Sequence, residues 1–94
     1  QKTDSLVRED FIHVLPNISP NPGNGYFTLA FGSKVPDQLA IEVYDLWGNQ
    51  VPFGILENME NYLTIDISSL HSGIYFIRIN SPEQNNTYKV VLTK

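Results

Sequence analysis

The feature that most constrains the fold is a succession of short apolar runs with a period of two, each ended by turn-forming residues. The run at residues 26–32 is the clearest, because Phe27, Leu29 and Phe31 share one face of an extended chain. A period of two is that of a half-buried β-strand, whereas an amphipathic helix repeats every 3.6 residues. No stretch of the chain sustains the helical period, so the sequence predicts an all-β protein.

Clusters of Pro, Gly, Asn and Ser separate the runs, a pattern typical of a two-sheet sandwich. We therefore predict an antiparallel immunoglobulin-like β-sandwich of about seven short strands, with one face of each strand turned to the core. The runs cover residues 12–18, 26–32, 39–46, 50–56, 62–67, 73–80 and 87–93. The core candidates are Phe27, Leu29, Phe31, Ile41, Val43, Ile65, Ile74, Phe76 and Val90. The run at 73–80 is apolar on both faces, so its period does not select the inward one.

The length of 94 residues is that of one domain. Residues 1–11 are polar and aperiodic, and we interpret them as a linker or the end of a preceding segment, with the domain at 12–94. The chain begins Gln1-Lys2-Thr3 without an initiator Met or a signal peptide. We interpret it as the C-terminal part of a longer protein.

The charge pattern argues against several classes of partner. The net charge is −4, and the six Lys and Arg residues are scattered along the chain. Nucleic-acid binding and polybasic membrane anchoring both need clustered positive charge. No apolar run approaches the ~20 residues that span a bilayer. We predict no nucleic-acid partner and no direct membrane insertion.

The candidate chemical groups do not form a recognisable active site. The chain has no cysteine, and its only histidines are His13 and His71. His71 lies near Asp66 and several serines in sequence, but a catalytic triad requires a set geometry that adjacent turn residues seldom provide. The acidic residues lack metal-loop spacing, and the 20–25 cluster lacks the Lys and following helix of a phosphate loop. We predict no enzyme activity, no cofactor, no metal and no small-molecule substrate.

The aromatic residues Tyr44 and Trp47 leave two alternatives open. Exposed rings stack on sugars, so a carbohydrate-binding or adhesion module is one alternative function. A structural spacer is a second alternative function. For Trp47 itself we favour packing over the end of the sandwich beside Gly48.

Three blocks of sequence resemble a known family. The first is Pro20-Asn21-Pro22 with Gly25 before a strand, and the second is residues 41–51 with Asp45-Leu46-Trp47-Gly48 at its turn. The third joins residues 65–79 to 87–94 and ends on Lys94. In order and spacing these blocks resemble the type A C-terminal sorting domain of Bacteroidota proteins exported by the type IX secretion system.

The resemblance implies a function in export. A domain of this family folds in the periplasm, is recognised by the outer-membrane translocon, and delivers an attached passenger to the cell surface or the medium. A sortase-like protease then cuts in the linker before the domain, and the passenger is joined to anionic lipopolysaccharide or released. The candidate recognition residues are Pro20, Asn21, Pro22, Gly25, Gly48, Gly73, Tyr75, Lys89 and Lys94. At Gly48 and Gly73 we further predict a positive φ.

Overall fold

The computed structural model describes residues 16–32, 34–36, 38–82 and 85–94. The predicted linker at residues 1–11, His13 and part of the predicted run at 12–18 therefore lie outside the described residues. The described part is all-β and holds no helix that is long and apolar enough to cross a membrane. Its strands are β1 (Asn17–Ser19), β2 (Tyr26–Ala30), β3 (Ala40–Asp45), β4 (Gln50–Val51), β5 (Gly54–Asn58), β6 (Tyr62–Asp66), β7 (Gly73–Asn80) and β8 (Asn85–Leu92).

The strands form two four-stranded antiparallel sheets, in the orders β1-β2-β6-β5 and β4-β3-β7-β8. This confirms the predicted antiparallel sandwich. The run predicted as one strand at 50–56 is two strands in different sheets, separated by Pro52 and Phe53. Proline has no N–H to donate to a ladder, so the chain leaves one sheet at Pro52 and joins the other at Gly54.

The core lies between the sheets and contains most of the side chains predicted for it. Phe27, Leu29, Val43, Ile65 and Val90 are fully buried, and Phe31 is nearly so. Each such side chain contributes roughly 1.5–3 kcal/mol when fully buried. Ile41 is half-buried and packs against this cluster.

The predicted face of β7 is wrong. Ile74 and Phe76 are only half-buried and lie outside the core, whereas Tyr75, Ile77 and Ile79 are buried. Directly paired residues of neighbouring strands share a face, and the register sets Ile77 opposite Val43 and Tyr75 opposite Val90. The inward face of β7 is therefore decided by its two neighbours.

The strand registers bring several turns to one end of the sandwich. Tyr26 pairs with Asp66, Asp45 with Tyr75, and Gly73 with Leu92. The turns at 20–25, 46–49 and 67–72 and residues 93–94 consequently share this end, which we call the C-terminal end. The first described strand starts at the other end, where Asn17 pairs with Ala30.

Candidate functional site

The turn at residues 20–25 lies against the outer edge of β8. The side-chain amide of Asn21 donates a hydrogen bond to the Lys89 carbonyl oxygen at 2.9 Å, and its oxygen accepts one from the Val91 N–H at 2.9 Å. A side-chain amide offers both a donor and an acceptor, as a peptide group does. Asn21 therefore acts as a substitute for the backbone of a neighbouring strand.

Gly23 extends the same contact with its own backbone. Its N–H donates to the Val91 carbonyl oxygen at 2.9 Å, and its carbonyl oxygen accepts from the Thr93 N–H at 2.8 Å. A Cβ at Gly23 would lie 2.8 Å from the Pro20 carbonyl oxygen and 2.9 Å from the Phe27 ring, so glycine is required. Gly23 is not among the residues predicted from the sequence, although its place in the Pro- and Gly-rich cluster is a signal for such a close approach.

The outer edge of β8 is thereby paired from Lys89 to Thr93. An edge strand otherwise presents free N–H and C=O groups that can pair with another chain. The contacts of Asn21 and Gly23 hold the last strand in the domain although it lies at the edge of its sheet.

Gly25 brings the turn against the corner that follows β6. Its carbonyl oxygen accepts a hydrogen bond from the Ile67 N–H at 2.8 Å. Its φ is +129°, and a Cβ there would lie 2.6 Å from the Cα of Ser68. Both the backbone conformation and the close approach exclude a side chain.

Two aspartates shape the neighbouring turns. The carboxylate of Asp66 accepts hydrogen bonds from the Ser68 hydroxyl at 2.6 Å and the Ser68 N–H at 2.9 Å, and these lower the pKa of Asp66. The carboxylate of Asp45 accepts from the N–H groups of Asn49 and Trp47, both at 2.9 Å. These bonds, the Asn49 one foremost, lower the pKa of Asp45. Carboxylates are typical of such turns because they satisfy local backbone donors.

The last residue is tied to the corner at 67–72. The Lys94 ammonium donates to the carbonyl oxygens of Ser68 at 2.6 Å and Leu70 at 2.9 Å. The Lys94 N–H donates to the Ser72 hydroxyl at 3.1 Å. Ser72 is a participant that local sequence patterns did not indicate, because it acts across 22 residues.

The structure brings most of the predicted recognition residues together. Pro20 and Pro22 are exposed on either side of Asn21, and a cis peptide bond precedes each proline. Gly48 has a φ of +88° and Gly73 one of +158°, as predicted. Lys89 is exposed on β8, further from the C-terminal end, opposite Phe76.

Tyr75 differs from the other candidates because it lies inside the domain. Its side chain is only 8% exposed, and its hydroxyl donates to the His71 carbonyl oxygen at 2.7 Å. The ring thus supports the corner at 67–72 from within.

The packing predicted for Trp47 is wrong. Its side chain is 81% exposed at the tip of the turn between β3 and β4. The positive φ of Gly48 turns the chain back toward β4, and no atom of the described residues lies within 4 Å of the place of a Gly48 Cβ. The turn therefore projects into solvent and does not fold over the sandwich.

The described residues do not assemble a catalytic or metal-binding group. Asp66 bonds to Ser68 in its own turn, and His71 is exposed. Within the described ranges no three His, Cys, Asp or Glu residues are grouped to hold a metal ion. What the C-terminal end does offer is a surface built from three turns and residues 93–94. Hydrogen bonds link the turn at 20–25 to β8 and to the corner at 67–72, and they link Lys94 to that corner.

Comparison with known proteins yields one match. The model of a family described as the secretion system C-terminal sorting domain matches residues 17–93. No curated protein and no solved structure matches significantly. The matched range begins at the first residue of β1 and includes all eight strands of the described part.

Proposed function

The chain belongs to the family of C-terminal sorting domains of the type IX secretion system, and from this membership we propose how it acts in export. The domain is the signal by which the outer-membrane translocon recognises an attached passenger. The observation that carries the proposal is the family match over residues 17–93. This is a family of sorting signals and not of enzymes.

The C-terminal end is the surface that we propose the translocon reads. It combines the turn at 20–25, the corner at 67–72 and Lys94 into one hydrogen-bonded unit. The folded domain alone has this unit, because Asn21 and Val91 are 70 residues apart in the chain. A translocon that recognises this surface would therefore distinguish a folded sorting domain from an unfolded one.

The first described strand, β1, starts at the opposite end of the domain. Asn17 pairs with Ala30, whereas the C-terminal end begins at the other limit of β2, with Tyr26. A passenger joined upstream of β1 would therefore leave the C-terminal end accessible. We propose that a sortase-like protease cuts within or next to residues 1–11 after passage from the periplasm. The passenger then stays on the cell surface or enters the medium.

The test is a fusion of residues 1–94 to a fluorescent reporter that carries a signal peptide, expressed in a host with the type IX machinery. We expect fluorescence at the surface or in the medium. The same reporter without the 94 residues should remain in the periplasm. Retention of the intact fusion, in a host where a known sorting domain exports the same reporter, would contradict the proposal.

A further inference from the structure

Leu46 and Trp47 form an exposed apolar projection at the C-terminal end. Their side chains are 53% and 81% exposed. Tryptophan is highly buried on average, and its large ring is enriched at the centres of protein interfaces, with arginine and tyrosine. An open tryptophan beside a second open apolar side chain is therefore a candidate contact point.

The turn that carries Trp47 is held in one conformation. The Asp45 carboxylate accepts hydrogen bonds from the N–H groups of Trp47 and Asn49, and the Asp45 carbonyl oxygen accepts from the Gly48 N–H at 3.1 Å. The Asp45 N–H donates to the Asn49 carbonyl oxygen at 2.9 Å. A side chain presented on a rigid turn loses little conformational entropy on binding.

Two of the hydroxyl groups beside the ring already take part in hydrogen bonds within the domain. Trp47 and Leu46 border a groove of about 450 Å³ whose lining also includes Gly73, Ile74 and His71. The Tyr75 hydroxyl donates to His71, and the Ser72 hydroxyl accepts from Lys94. A sugar would need free hydrogen-bonding groups beside the ring, whereas an apolar pocket needs only the ring and its aliphatic neighbours.

The charge around the groove restricts the partner further. Asp45 borders the groove, and no Lys or Arg is among its lining residues in the described chain. Electrostatic complementarity sets opposite charges against each other across an interface. A matching surface therefore carries a basic group at its margin.

We propose that Trp47, supported by Leu46, is the apolar anchor that this domain inserts into a pocket of its receptor protein. The pocket is apolar inside and basic at its margin, and it belongs to the component of the type IX machinery that reads the C-terminal end. This inference rests on the proposed function, and it specifies the chemistry of the receptor pocket that would bind Trp47.

The export fusion tests the anchor with matched variants. Trp47→Ala should reduce export at least about tenfold, as expected for a central interface aromatic, and leave the melting temperature nearly unchanged because the side chain is 81% exposed. Trp47→Phe should retain most of the export. Leu56→Ala is the control, since Leu56 is 58% exposed on β5 in the other sheet. Export of Trp47→Ala at the wild-type level would overturn the anchor and leave the sorting function intact.

Fluorescence identifies the partner class directly. Trp47 is the only tryptophan of the chain, so the emission of the full 94 residues reports on this site alone. Purified translocon in detergent should shift the emission to shorter wavelength and protect it from iodide quenching. Isolated surface polysaccharide should do neither. A shift with polysaccharide and none with translocon would overturn the protein pocket in favour of a sugar site.

Discussion

Two separate constraints exclude a side chain at Gly25. Its φ of +129° is open almost only to glycine, and a Cβ would lie 2.6 Å from the Ser68 Cα. Gly32 has a φ of +73°, but no atom in the described part of the chain lies within 4 Å of its Cβ position. A comparison of substitutions at Gly25 and Gly32 therefore separates the cost of backbone strain from the cost of steric overlap.

We expect Gly25→Ala to lower the free energy of unfolding by about 2 kcal/mol or more, since strain and overpacking each cost about 1–3 kcal/mol. Gly32→Ala should cost only about 1 kcal/mol. Urea unfolding of the two variants measures both values. Equal losses would mean that the corner at 67–72 does not approach Gly25 as closely as described.

Asn21 contributes through its side chain alone. Its two hydrogen bonds to β8 are each worth about 0.5–1.5 kcal/mol, so Asn21→Ala should cost about 1–3 kcal/mol in unfolding free energy. Asn24→Ala is the matched control, because Asn24 is exposed in the same turn. Hydrogen exchange of the Val91 amide should accelerate in the Asn21 variant and not in the control.

Asp45 and Asp66 predict an acid sensitivity of folding. Hydrogen bonds hold the pKa of both carboxyls below the ordinary 3.8. The unfolded chain then binds more protons, so the stabilisation is complete well above pH 3.8 and is lost as the pH falls through the folded-state values. We expect the melting temperature to fall between about pH 5 and pH 3. The double variant Asp45→Asn, Asp66→Asn should lose less over that interval, and an equal loss would assign the sensitivity to other groups.

At the scale of elements, β8 is an edge strand that also contributes side chains to the hydrophobic core. Val90 is fully buried and Leu92 nearly so, and their burial is worth roughly 1.5–3 kcal/mol each. The strand also pairs with β7 along its whole length, from Leu92 opposite Gly73 to Asn85 opposite Asn80. The total stability of a small domain is about 5–15 kcal/mol, so β8 accounts for a large part of it.

A chain that ends at Asn86 should therefore lose its cooperative thermal transition, and its reporter fusion should stay in the periplasm. Deletion of Lys94 alone is the control, because it leaves every residue of β8 in place. Thermal unfolding followed by circular dichroism shows whether each of the two chains keeps a cooperative transition. A cooperative transition in the truncated chain near that of the wild type would contradict the role given to β8.

At the scale of the whole molecule, contacts at the C-terminal end join the two sheets. The turn before β2 bonds to β8 through Asn21 and Gly23, and Lys94 bonds to the corner between β6 and β7. β2 and β6 belong to one sheet, and β7 and β8 to the other. Neither sheet can open fully without breaking these links.

We therefore expect the two sheets to unfold as one unit. Native-state hydrogen exchange should give the same opening free energy for core amides of β6 and β7. A clearly lower value for one sheet would show that it opens on its own and that the links are weak.

The sequence by itself determined what depends on near neighbours along the chain. The alternation of Phe27, Leu29 and Phe31 predicted β2 and its inward face, because a strand with one polar face has only one face to bury. The residue types at Gly48 and Gly73 predicted backbone conformations that the structure has, since a positive φ is a local steric property.

Only the tertiary structure decided what depends on distant neighbours. Both faces of β7 are apolar, so the two-residue period of its sequence does not select the inward face. The register with β3 and β8 selects it. Trp47 is exposed because its turn projects past the sheets, which its own neighbours in sequence do not reveal. The bonds of Asn21 to β8 span 68–70 residues. They exist because folding sets the turn before β2 beside the last strand, and that proximity is a property of the sheet order and not of any local pattern.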